Sequence, residues 1–242
     1  MEEKKSIQKM NDFIVIGLGR FGRSVATTLF AMGKEVLAID KRNENVNALN
    51  GRVSSAVTAD ATSQDILYTL GAQNFDCAII AIGDNLESSL LSAQKCIELG
   101  VKFVIAKAQS EAHAKILKAM GVDLVIYPEE FVGKKLASLL AKPGINELVD
   151  LTDDFKIFEM STPESWYNKQ VVDLNIRRKY KVSIVFIQRK SKIISPEPDT
   201  ILLEGDKLII AGESTKIAQL ANLTQDVNDA VASIYEVFEY KN

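Results

Sequence analysis

The sequence predicts an α/β protein in two parts, an open doubly wound parallel sheet followed by a smaller α+β domain. Three observations predict it. Short all-apolar runs alternate with helical patterns as far as about residue 130. A glycine-rich turn lies between the first strand and the first helix, and beyond Lys142-Pro143-Gly144 the strands follow one another without regular helices between them.

In chain order, 11–16 reads as a strand, 20–32 as a helix and 35–39 as a second strand. A polar helix over 43–51, a short strand over 55–58 and a helix over 63–71 ending in glycine follow. A strand over 76–82 is apolar after its first residue, and further strands lie near 103–106 and 124–126. Uninterrupted Val/Ile/Ala runs suit parallel strands covered on both faces. Strict alternation of strand and helix with short loops predicts about six such strands. A helix starting at Pro128 should stop near Ala141, because proline and glycine cannot continue it. Boundaries follow at 1–144 for the first domain, 145–222 for the second and 223–242 for a tail. Strands are expected at 155–160, 182–187, 192–194 and 207–211. In the tail, Val227, Val231, Ile234 and Phe238 recur at helical spacing, and Asp226, Asp229, Glu236 and Glu239 oppose only Lys241. That acidic amphipathic helix accounts for the whole net charge of −3.

The chain has 242 residues, 47% of them apolar, enough for proper cores without staples. Cys77 and Cys96 lack the spacing of a disulfide framework, a zinc site or a CxxC motif, and are expected to be buried. The longest apolar stretch, Cys77 to Ile82, is far short of the roughly 20 residues of a membrane span. The first ten residues are polar and charged with no apolar segment behind them, so a cytosolic location is expected. A pI near 5.4 argues against nucleic acid as the main partner.

The first strand ends in Gly17-Leu18-Gly19-Arg20-Phe21-Gly22, a GxGxxG that opens a helix, as in Rossmann-like dinucleotide folds. Gly17 permits the tight turn, Gly19 keeps no Cβ between backbone and diphosphate, and Gly22 lets the helix sit close to the sheet. The phosphates would rest on the N–H groups and positive dipole end of that helix. Arg20 opposes that dipole, so a phosphate contact explains it better than a structural role. The second strand ends at Asp40, placed to accept both ribose hydroxyls and to disfavour a 2′-phosphate, although Lys41 and Arg42 follow it. Asp60-Ala61-Thr62 and Ile82-Gly83-Asp84-Asn85 end the third and fourth strands at the same sheet edge. They either read base and ribose or serve as ordinary turns and helix caps.

No histidine or other acid–base group stands where a hydride would be transferred. His113, the only histidine, is expected on the polar face of its helix as a plain surface residue. Nucleophile-elbow, HExxH and Walker motifs are absent, so a nucleotide-sensing module fits better than an enzyme. An NAD(H)-binding regulator or NAD-linked oxidoreductase is the alternative, and a DNA-binding repressor lacks a basic recognition element.

GLGRFG at 17–22, VLAID at 36–40, ADAT at 59–62, AIGDN at 81–85, KAQ at 107–109 and YPEE at 127–130 occur in order. Together with VDLNIR at 172–177, they make the chain resemble the RCK proteins of the Ktr and Trk type, cytosolic regulators of bacterial potassium uptake, over about residues 10–225. The resemblance implies dimers assembling into an octameric ring on a membrane-embedded transporter subunit, with ATP/ADP exchange changing the ring. It implies Gly17, Gly19 and Gly22 on the phosphates, Asp40 on the ribose and Arg20 on the γ-phosphate across the dimer. Glu129 would help hold a divalent cation between two nucleotides, or else be an ordinary first-turn acid of its helix, and Lys107 would reach phosphate or solvent. The second domain would take cyclic di-AMP through Val171, Val172, Asp173, Asn175, Ile176, Arg177 and Pro196. Arg177, Arg178, Lys179, Lys181, Arg189, Lys190 and Lys192 make the segment near that site basic.

Overall fold

The computed structural model describes residues 10–141, 145–152, 154–221 and 223. The chain divides into two compact units between Glu130 and Phe131. That division lies earlier than the Lys142-Pro143-Gly144 break, which, like the acidic tail helix, is outside the described residues.

In the first unit, β1 (Asp12–Ile16), α1 (Arg20–Ala31), β2 (Glu35–Asp40), α2 (Asn43–Asn47) and β3 (Ser55–Thr58) follow one another. Then come α3 (Gln64–Thr69), β4 (Cys77–Ile80), α4 (Leu86–Glu98), β5 (Phe103–Lys107), α5 (Glu111–Ala119) and β6 (Leu124–Ile126). All strand pairs are parallel, in the order β3-β2-β1-β4-β5-β6. Period-2 alternation sends neighbouring side chains to opposite faces. Ile14, Ile16, Leu37, Ile39, Ala78 and Ile80 therefore join Leu67, Ala93, Cys96 and Leu117 in one core. Val15, Val36, Ala38, Cys77 and Ile79 join Leu18, Ala26, Val46 and Leu49 in the other. The chain runs outward from β1 to β3 and then returns to β4, so strand order reverses between β1 and β4. Ligands bind such sheets at the carboxyl ends of the two strands flanking the reversal.

The helix α6 (Pro128–Ala141) has Pro128 at its first position, where the missing N–H costs no bond. The second unit is built on β7 (Ile145–Asp150), β8 (Phe155–Ser161), α7 (Val171–Leu174), α8 (Ile176–Tyr180), β9 (Val182–Arg189), β10 (Lys192–Ile194), β11 (Lys207–Glu213) and α9 (Ser214–Ala221). Its sheet is antiparallel, in the order β10-β9-β11-β8-β7, with a bulge between Ile209 and Ile210. Phe158, Met160, Trp166, Ile187 and Leu208 are the heart of its core.

Three expectations are corrected. The strand β7 went unread, and helical turns do separate the strands, with α7 and α8 split by Asn175 in the left-handed region at φ 50°. Asparagine tolerates that conformation better than most residues. His113 is 3% exposed, not a surface residue. It lies on the buried stripe of α5 with Ala114 and Leu117, where burial pushes its pKa down.

Candidate functional site

A cavity of about 480 Å³ opens at the carboxyl edge of the parallel sheet, flanking the β1/β4 reversal. Small-molecule sites typically span roughly 300–1,000 Å³. The turn after β1 is shaped by its glycines. Gly17 has φ +93°, and a Cβ on it would lie 2.9 Å from the Ile82 nitrogen. A Cβ on Gly22 would lie 1.9 Å from the Gly17 carbonyl oxygen, so the helix can start this close to the loop only with glycine there. A Cβ on Gly19 would meet nothing within 4 Å, leaving its open side to the cavity that it lines. No side chain caps α1 and no acid lies in its first turn, so the N–H groups and positive dipole end there are left for an anion. Arg20, at the first helical position, also lines the cavity.

Asp40 closes β2 as a buried hub. Its Oδ2 accepts hydrogen bonds from the Leu18 N–H at 2.7 Å and the Asn45 amide at 2.9 Å. Oδ1 accepts from the Arg42 N–H at 2.8 Å. Burial pushes the carboxyl pKa up, but the Arg42 and Leu18 N–H groups, the Asn45 amide and the Arg42 guanidinium outweigh it and hold it below the usual carboxylate value. A carboxylate offers about four acceptor sites, and three are taken. One acceptor site is left where both ribose hydroxyls would need two, and the bond to Leu18 ties the glycine turn to β2.

Around the rim, Asp60 accepts from both the N–H and the hydroxyl of Thr62, at 3.0 and 2.8 Å. These two bonds, foremost, lower its pKa. Lys107, only 12% exposed in its side chain, is bound in an ion pair to Glu129, which is 72% exposed. Lys107 therefore faces a carboxylate and not open solvent. Its hydrogen bond is the main reason the Glu129 pKa is lowered, and the Arg20 charge adds to it. Lys107, Arg20 and Glu129 all line the cavity.

Most of the residues expected from the sequence meet there: Gly17, Gly19, Arg20 and Phe21; Asp40, Lys41 and Arg42; Asp60, Ala61 and Thr62; Ile82 and Gly83; Lys107 and Glu129. Leu18, Gly22 and Asn85 do not line it. Leu18 is buried and donates its N–H to Asp40, Gly22 packs against Gly17, and Asn85 caps α4 by accepting from the Ser88 N–H at 2.7 Å. The cavity adds Ile16, Ile39, Ala59, Ala81 and, on α4, Ser88 and Ser92. A signal for the two serines was present, since they stand one turn apart on the helix that leaves β4.

Among the described residues no group of three or more His, Cys, Asp or Glu side chains gathers to hold a metal. A divalent cation needs several oxygen ligands, and Glu129 is the single carboxylate expected for it here. In the second unit, Val172, Asp173, Asn175 and Arg177 are exposed while Ile176 is buried in the core, which removes Ile176 from any open binding surface. No helix among the described residues is long and apolar enough to cross a membrane.

Residues 13–128 match the TrkA-N domain and 157–225 the TrkA-C domain. The chain is 39% identical over 215 residues to Ktr system potassium uptake protein A of Bacillus subtilis, covering 88% of this chain and 97% of that protein. To Ktr system potassium uptake protein C of the same organism it is 35% identical over 209 residues, covering 86% and 95%. Among solved structures it is similar to the GsuK RCK domain, with a TM-score of 0.62 at 16% identity over 91% of this chain. It spans about half (49%) of that solved chain, and at this identity the likeness shows the fold. Fold and cavity together define a Rossmann-like TrkA-N unit followed by a TrkA-C unit. By its two domains and its 39% identity, the chain belongs to the family of Ktr potassium uptake proteins.

Proposed function

We propose that this protein is a non-enzymatic regulatory subunit of a Ktr/Trk-type potassium uptake system, in which ATP and ADP compete for the cavity of the first unit. The observation that carries the reading is the uncapped start of α1, with Gly19 open to the cavity and Arg20 beside it. An extra phosphate meeting Arg20 gives the two nucleotides different contact energies, which a gating equilibrium requires. The family relation supports a homo-oligomer of dimers, an octamer in full, seated on a membrane-embedded transporter subunit at the inner face of the membrane, with no nucleic-acid partner. A divalent cation between two nucleotides would take Glu129 from this chain. Cyclic di-AMP would bind the second unit at Val171, Val172, Asp173, Asn175, Arg177 and Pro196, where the neighbouring basic side chains favour a dianion.

NAD(H) is the second reading, since the charge of Asp40 suits a free ribose hydroxyl in either ligand. Titration of the purified protein with ATP, ADP and NADH separates them. Binding of both ATP and ADP is expected, with Arg20→Ala weakening ATP by roughly tenfold more than ADP. NADH binding with no response to ATP would overturn the reading, and equal losses for ATP and ADP would remove Arg20 from the γ-phosphate.

A further inference from the structure

Helix α4 buries two serines, Ser89 and Ser92, each 0% exposed. Among the described residues neither hydroxyl has a hydrogen-bond partner. An enclosed hydroxyl in that state costs free energy, and alanine would form the same helix more readily. Neither serine makes a side-chain hydrogen bond to the described residues that alanine would lose. The two differ in one respect: Ser92 lines the cavity, one turn after Ser88, and Ser89 does not.

The chemistry around Ser92 narrows what could meet it. Charged groups of the cavity lie at the strand ends and at the starts of α1 and α6, among them Arg20, Asp40, Asp60, Lys107 and Glu129. Its apolar walls are Ile39, Ala59, Ala61, Ala81 and Ile82, small or flat-sided groups suited to a heterocyclic ring. One neutral hydroxyl does not compensate the burial of a phosphate's charge at that wall of the cavity. A ring nitrogen or an exocyclic amine can pair with it, since a hydroxyl both donates and accepts.

We infer that Ser92 reads the edge of the nucleotide's base and is a specificity-determining residue of the cavity. The assignment rests on the nucleotide-binding reading above and adds to it the part of the ligand that α4 recognises. It predicts a contribution independent of the number of phosphates, unlike that of Arg20.

The test is calorimetric titration of the full-length wild type, Ser92→Ala and Ser89→Ala with ADP and with ATP, alongside thermal unfolding without ligand. Ser92→Ala should weaken ADP and ATP by the same factor, about five- to tenfold for one neutral hydrogen bond. Its unliganded unfolding midpoint should stay level or rise, and Ser89→Ala should bind as wild type. Unchanged affinity in Ser92→Ala, or a loss confined to ATP, would overturn the assignment while nucleotide binding stands. So would a lowered unliganded midpoint, which would reveal a partner for the hydroxyl within the fold. Failure of the wild type to bind ADP, ATP or NADH would instead remove the nucleotide reading, and this assignment with it.

Discussion

Asp40 in the first unit and Asp206 in the second are both buried aspartates that collect hydrogen bonds, yet from different kinds of neighbour. Asp206, just before β11, receives two bonds from the Arg189 guanidinium, both at 2.7 Å, and one from the Leu203 N–H at 2.9 Å. The same guanidinium also donates to the Ile201 carbonyl at 2.8 Å. Asp40 is held by neutral donors, and its nearest cation, Arg42, stands at 3.7 Å with its side chain mostly exposed. Burial raises the pKa of each carboxyl, and in each case the bonds outweigh it. One charge is closed off by a planar, bidentate partner. The other, met by neutral donors, lines the cavity. Two buried aspartates with three hydrogen bonds each thus differ in the charge and geometry of their neighbours, not in residue type or burial.

The contrast can be broken first at the Asp206 staple. Arg189→Met strands the Asp206 charge in a buried site and should cost about 3 kcal/mol of unfolding free energy, read by urea denaturation. A loss below about 1 kcal/mol would class the pair with surface ion pairs. Asp40→Asn should cost less stability, about 1–2 kcal/mol, while ADP affinity falls at least tenfold in a calorimetric titration. If it instead costs as much stability as Arg189→Met and leaves ADP binding intact, Asp40 is a staple too.

The smallest effect is expected at a third aspartate, Asp76. It accepts from Lys102 at 2.7 Å and from the N–H groups of Asn11 and Asp12 at 2.9 and 3.3 Å. With the Lys102 bond foremost, these lower its pKa from 3.8 to about 2. A depressed folded value means that the stabilisation is present above about pH 4 and is lost as the pH falls toward about 2. The stability difference between wild type and Asp76→Asn should accordingly shrink across that window. A difference that stays constant to pH 2 would mean that the charge is not what holds the start of β1.

The parallel sheet was legible because its central strands, β1, β2 and β4, hold apolar runs buried on both faces, and the glycine fingerprint marked the turn that lines the cavity. β7 was not, since its INELVD mixes polar and apolar residues and its pairing with β8 shifts register between Glu147 and Val149. The turns α7 and α8 are too short for helical period to show. His113 was misread because its neighbours Glu111 and Lys115 mark a polar face, while the stripe with Leu117 that buries it needs the sheet to be seen. Most of the cavity's loops were legible by their place at strand ends. The hub at Asp40 was only half legible: the acid was visible, but the Asn45 amide and Leu18 N–H that occupy it depend on how α2 and the glycine turn fold back.

The two cysteines, which play no part in the site, have a practical consequence. Cys77 belongs to the core on one face of the parallel sheet and Cys96 to the core on the other. Burial pushes both thiols up to about 12, so neither is a nucleophile in the closed fold. Each face of the parallel sheet thus carries its own silent label. A thiol reagent reacts only when that layer parts from the sheet, which makes the two labelling rates separate clocks for the opening of the two faces.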